Sequence, residues 1–302
     1  MSHQEASVKS ILFALLANLG IAITKTIAAI VTGSGAMLAE SIHSFADCGN
    51  QGLLFLGLKS AKREPDAEHP LGYGKEIYFW SFIVALILFS MGGLFSVYEG
   101  IHKLNASEEL KQPVIAIIVL SLSIVLEGFS LFGCLVQVKK LRRDIPLWKW
   151  IRTSRNSELI VVMGEDIAAL LGLGLALIAV LLSVVTGNPV YDAVGSIAIG
   201  VLLVLVSVFL AVKIKDLLIG QSTDEETRTS IVKFLESRPE IAQVYNLITL
   251  QLGAQIMVAV KVRMSAVGST AQLVNDINAC EAALQQSNPA IKWIFFEPDI
   301  EK

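Results

Sequence analysis

The sequence predicts a polytopic α-helical membrane protein: six transmembrane helices followed by a small cytoplasmic α+β domain of ferredoxin-like type. Three observations carry that prediction. Of 302 residues, 54% are hydrophobic and only 17% are charged, against about 25% charged in soluble domains. Mean hydropathy is +0.63. Ordinary polarity returns only after residue 215, which divides the chain into a membrane domain, 1–215, and a soluble domain, 216–302.

A hydrocarbon core of about 30 Å needs roughly 20 mostly apolar residues per crossing. Six stretches qualify: 10–32, 36–58, 77–101, 113–138, 159–186 and 190–213. The links Thr32-Gly33-Ser34-Gly35 and Thr186-Gly187-Asn188-Pro189 are turns built on Gly, Asn and Pro. Spans one and two, and spans five and six, therefore form hairpins. Lys59, Lys62, Arg63 and Lys75 follow span two; Lys139, Lys140, Arg142, Arg143, Lys149, Arg152 and Arg155 follow span four. The opposite links offer Lys103 and Lys111, diluted by Glu108 and Glu109. The Lys/Arg excess puts the basic links and both termini in the cytoplasm, in a multi-pass protein of the inner (plasma) membrane.

In the tail, Thr223-Asp224-Glu225-Glu226 opens a helix that runs to about Arg238, with acids in its first turn. Strands are expected at 244–252 and 255–264 around Gly253, a second helix at 271–286 and a last strand at 291–296. Such a one-layer sheet gains stability by burying apolar surface against a partner, so self-association is expected, with Val258, Val260 and Val262 at the contact. All four histidines, His3, His43, His69 and His102, precede the tail, so a role in metal sensing there is not expected.

A net charge of −3 points to no nucleic-acid partner. Cys48, Cys134 and Cys280 are odd in number and far apart, so no disulfide framework is expected. No cleavable leader is expected either, because the first apolar run is long and contains Asn18 and Lys25.

Ionisable groups inside spans are costly and read as functional. Glu99 and Asp192 lie near span ends, where headgroups or water are within reach. Lys25 and Glu127 lie deeper, on a transport path or paired inside the bundle. In span two, Glu40, His43, Asp47 and Asn50 fall at helical spacing and form one polar stripe. His43 and Asp47 can supply two ligands to a divalent cation. Span five adds Asp166 and Glu165. Three ligands, His43, Asp47 and Asp166, with Glu165 or a water as fourth, balance the charge of a divalent ion. Protons compete for the same lone pairs.

These features, with the strings Ser34-Gly35-Ala36-Met37-Leu38-Ala39-Glu40-Ser41-Ile42-His43-Ser44-Phe45-Ala46-Asp47 and His69-Pro70-Leu71-Gly72-Tyr73-Gly74-Lys75 and the stretch from Asp192 to Gly200, resemble the cation diffusion facilitators over essentially the whole chain. The resemblance implies a homodimeric metal/proton antiporter that exports a divalent metal from the cytoplasm. Zinc is the first expectation, with manganese, iron or cobalt as alternatives. It implies His43, Asp47 and Asp166 as ligands, but the family's usual fourth ligand falls on Val162, and Glu165 is offered instead. Asp66 and His69 match a secondary metal site whose third member is here Tyr73. Lys75 matches a residue that braces the dimer. Glu40, Asn50, Glu127 and Lys25 are expected along the transport path. No His-Glu-x-x-His or Gly-x-Ser-x-Gly string supports an intramembrane enzyme. A non-transporting membrane subunit is the remaining alternative, suggested by Val162.

Overall fold

The computed structural model describes residues 3–106, 110–142, 145–266 and 268–301. Glu108, Glu109 and Arg143, counted in the links above, lie outside the described residues. Ten helices and three strands follow in order among those residues: α1 (His3–Thr32), α2 (Gly35–Ser60), α3 (Glu76–Ile87), α4 (Phe95–Ala106), α5 (Pro113–Arg142), α6 (Leu147–Thr153), α7 (Ser157–Thr186), α8 (Val190–Ile219), α9 (Glu225–Glu236), β1 (Ile241–Leu252), β2 (Gln255–Met264), α10 (Thr270–Ser287) and β3 (Ile291–Pro298). Between α3 and α4 the backbone is π-helical over Leu88–Leu94.

One compact unit comprises residues 1–56, 80–145 and 158–214. Four helical runs are long and apolar enough to cross a membrane: Glu76–Asn105, Pro113–Arg142, Ser157–Thr186 and Val190–Ile219. In α1 the described apolar part, Asn18–Thr32, is shorter. Helix α2 has the length, but Glu40, His43, Asp47, Asn50 and Gln51 lower its hydropathy. Burial is inverted relative to a soluble protein: Ile30, Phe129, Val185 and Leu205 point outward, while Lys25, Glu40, His43, Asn50 and Glu165 are inside. Outward apolar side chains suit lipid, and interior polar ones must find partners within the bundle.

The hairpin glycines do what their positions require. Gly33 (φ +66°) and Gly187 (φ +67°) close α1 and α7 in the left-handed region that favours glycine. Asp192 is not at the headgroups, as its place at a span end suggested. It is 2% exposed and accepts hydrogen bonds from Ser34 Oγ (2.5 Å) and the Gly35 N–H (2.6 Å). A carboxylate there satisfies the orphan donors and positive end of α2, which outweighs a reach to water. Lys103 Nζ stands 4.0 Å from Asp192 Oδ2 and also donates to the Gly33 carbonyl.

Small residues bring the π-helical segment and α4 against α8. A Cβ at Gly200 would stand 2.7 Å from the Gly93 carbonyl oxygen and the Val97 nitrogen, and one at Gly100 2.7 Å from the Ala193 oxygen. This is close backbone packing of the kind membrane helices build on small residues.

The other unit comprises residues 57–79, 146–157 and 215–302. Its sheet has the order β1-β2-β3, with β1–β2 antiparallel and β2–β3 parallel. Asp224 caps α9 by accepting from the Thr227 N–H (2.9 Å), and Ser269 caps α10 through the Gln272 N–H (3.2 Å). Val258, Val260 and Val262 do not face a partner: they are buried in the domain's own core with Ile231, Leu235, Cys280 and Leu284, because α9 and α10 cover that sheet face. The apolar row exposed on the sheet is Ile248–Ala259–Phe295, aligned across all three strands. The link motif seats within the same unit. Gly72 adopts φ +74°, a Cβ at Gly74 would run into the Leu252 carbonyl, and the Gly253 N–H donates to the Tyr78 hydroxyl at 2.9 Å.

Candidate metal centre

Helix α2 supplies the frame. Its 3.6-residue repeat stacks Glu40, His43, Asp47 and Asn50 on one face, and each meets a different neighbour. Lys25 of α1, 1% exposed, donates to Glu40 Oε2 (3.3 Å) and Ser44 Oγ (2.7 Å). Glu40 is fully buried, and its Oε1 has no hydrogen-bond partner. That oxygen faces Gly172 of α7, where a Cβ would stand 2.5 Å away.

His43 is 1% exposed. Its Nε2 lies 3.5 Å from Asp47 Oδ2, and neither ring nitrogen is hydrogen-bonded. A Cβ on Gly92, in the π-helical segment, would be 3.9 Å from Nδ1. Asp47 Oδ1 is likewise unpartnered. Asn50 Nδ2 donates to Glu165 Oε1 at 2.6 Å, and Ser130 Oγ donates to Asp166 Oδ1 at 3.3 Å, leaving Oδ2 without a partner.

A cavity of about 30 Å³ opens among these groups, lined by Asp47, Glu127, Glu165, Asp166, Ser44 and Ser130 among others. That is room for a water or two, or for a small ion. Four carboxylates from three helices around one small space concentrate negative potential in an apolar bundle. Oxygen donors with one imidazole nearby suit first-row divalent cations.

The sequence-predicted residues are thus gathered but not closed into one ligand shell. Among the described residues, no three His, Cys, Asp or Glu side chains stand so as to hold a metal ion together. Asp47, Glu165 and Asp166 share the cavity; His43 pairs with Asp47 from the side; Glu127 lines the cavity; Asn50 holds Glu165; Lys25 and Glu40 hold each other. Ser44 and Ser130 were missed. Their signal was spacing: Ser44 lies one turn after Glu40, and Ser130 three residues after Glu127.

The Asp66 and His69 pair is a built turn. Asp66 Oδ1 accepts the His69 N–H (2.7 Å) and the Glu68 N–H (3.1 Å) and lies 3.5 Å from His69 Nδ1, while Tyr73 donates to Oδ2 at 2.5 Å. The Tyr73 hydroxyl, with the His69 N–H, holds the Asp66 carboxyl below the usual carboxylate range. Arg63 in turn lies 3.9 Å above the Tyr73 ring. Tyr73 therefore takes up lone pairs that a metal would need. Lys75, expected at a dimer contact, donates within its own chain to the Leu218 carbonyl at 3.4 Å.

Residues 11–219 match the model of the cation efflux transmembrane domain. The chain belongs to the cation efflux family. This cation efflux protein is similar to the proton-coupled zinc antiporter SLC30A9, mitochondrial, of Homo sapiens, with 36% identity over 234 residues, 76% of this chain and 41% of that protein. It is similar to metal tolerance protein C4 of Arabidopsis thaliana, with 35% identity over 217 residues, 71% of this chain and 48% of that protein. Magnetosome protein MamB of Magnetospirillum gryphiswaldense shares 23% over 252 residues, 83% of this chain and 80% of that protein. The matched parts thus span less than half the length of the first two relatives.

Proposed function

We propose that this cation efflux protein exports a divalent metal, zinc first, from the cytoplasm in exchange for protons. In this reading it has six spans, the four apolar runs together with α1 and α2, with both termini cytoplasmic in the inner (plasma) membrane. Two copies pair, each with its own metal position, and the exposed Ile248–Ala259–Phe295 row is available to the contact. The observation that carries the reading is the α2 face, whose buried His43 and Asp47 atoms lack partners beside a small acidic cavity. A soluble fold would not tolerate such orphaned groups, and a metal would satisfy them. Asp47, Asp166 and His43 are the proposed ligands, with Glu165 released from Asn50 as the fourth. Protons and metal compete for the same lone pairs, so the two alternate at one place. The printed function of the human relative supports both zinc and proton coupling.

The test is metal uptake into vesicles containing the purified protein, with Zn²⁺, Mn²⁺, Fe²⁺ and Co²⁺ offered separately. Uptake is expected to rise when the vesicle interior is acidic and to collapse with a protonophore. Uptake indifferent to the pH gradient removes the antiport. No uptake of any metal removes the transport reading and leaves a non-transporting membrane subunit.

A further inference from the structure

Among the described residues, Lys25 is the one buried Lys or Arg, and it sits where a metal would be welcome. Its Nζ is held by Glu40 Oε2 and Ser44 Oγ at 3.3 and 2.7 Å, oxygen donors of the kind a divalent cation uses. One turn along the same face is His43, with both ring nitrogens unpartnered, and Glu40 Oε1 is unpartnered too. Glu40 precedes Asp47 by seven residues, about 10.5 Å along the helix, so this position is separate from the acidic cavity and nearer the α2 N-terminus. Gly172 of α7 leaves Glu40 its place: any larger side chain would displace the carboxylate.

We infer that Glu40, with His43 and Ser44, forms a second cation position on the transport path, and that the Lys25 ammonium fills it as a tethered cation. The fixed positive charge has two effects. It neutralises Glu40, which would otherwise be an uncompensated buried carboxylate. It also competes with any ion advancing from the cavity, so that only an ion binding Glu40 more strongly than a single ammonium moves on. Lys25 is in this sense a specificity-determining residue. The inference rests on the transport reading for the meaning of the position, not for its existence.

Equilibrium dialysis of the purified full-length protein against Zn²⁺ tests it without transport. Lys25→Met is expected to bind one more metal per protomer than wild type. The charge-neutral double variant Lys25→Met/Glu40→Gln is expected to return to the wild-type number. Equal stoichiometry in wild type and folded Lys25→Met overturns the inference. Should Lys25→Met unfold in chelator, recovery of its melting temperature on adding Zn²⁺ supports the inference by mass action. Failure to recover, while the double variant is folded, overturns it. A wild type that moves no metal into vesicles fails the transport reading instead and leaves this difference in binding unaffected.

Discussion

Asp192 and Asp47 are both carboxylates inside an apolar helical unit, and they have opposite surroundings. Around Asp192 every lone pair has an address: a hydroxyl, a backbone N–H and an ammonium from three different segments. Around Asp47 one oxygen faces an imidazole at 3.5 Å without a hydrogen bond, and the other faces no donor at all. Burial does not separate the structural acid from the functional one. The count of satisfied lone pairs does, because a group kept for folding has its partners built in, and a group kept for a ligand has them left out.

The strongest way to break this contrast is Asp47→Asn. Metal uptake into vesicles is expected to fall by about 100-fold or more, the scale of losing a ligand rather than its support. Thermal unfolding in detergent should be unchanged or shifted upward, since a poorly partnered buried charge has been removed. Asp192→Asn should do the reverse: a loss of about 1–3 kcal/mol in stability from weakened charge-assisted hydrogen bonds, with uptake per folded molecule retained. If the two variants exchange phenotypes, the contrast is wrong.

A smaller effect sharpens it. Asn50→Leu frees Glu165 from its 2.6 Å hydrogen bond and is expected to lower uptake about tenfold, as for other groups that orient a ligand. Uptake equal to wild type would mean that Glu165 needs no positioning.

The smallest effect belongs to a third acid, Asp299, on the surface of the tail. Lys261 Nζ at 2.5 Å and two backbone N–H groups hold its carboxyl down at about 2, from an ordinary 3.8. A depressed acid stabilises the fold above its unfolded value, so the contribution is complete above about pH 4 and disappears as pH falls toward 2. Asp299→Asn is expected to flatten this part of the acid-unfolding curve slightly. An unchanged curve would show that the pair contributes nothing, as many surface pairs do.

The span boundaries and the tail elements were legible because hydropathy and turn residues are local signals. The strands at 241–252 and 255–264 and the helix at 270–287 lie within a few residues of their expected positions. The α2 stripe was legible for the same reason, being a periodicity within one helix. What the sequence hid was pairing between helices. Lys25 meets Glu40 across 15 residues and Asp192 meets Ser34 across 158, and no spacing rule joins them. Hence Asp192 was expected at the membrane surface. The three valines of β2 were expected at a partner because alternation tells which residues share a face and not what covers it. The π-helical segment left no sequence signal beyond its paired glycines.

That segment also has a bearing on how such a chain can change length. Leu88–Leu94 winds more widely than the α-helix on either side, so it holds a residue that an uninterrupted α-helix would not need. Removing one residue there would let the stretch close into ordinary α-helix and turn everything beyond it by about 100°. Gly93 and Gly92 would then no longer both find their places, the first against the Gly200 turn of α8 and the second beside His43. Most indels in a membrane helix rotate one half out of register with its neighbours. Here the inserted residue is what puts two halves of one span into register with two different helices, so a deletion would be tolerated only in company with compensating changes in α8.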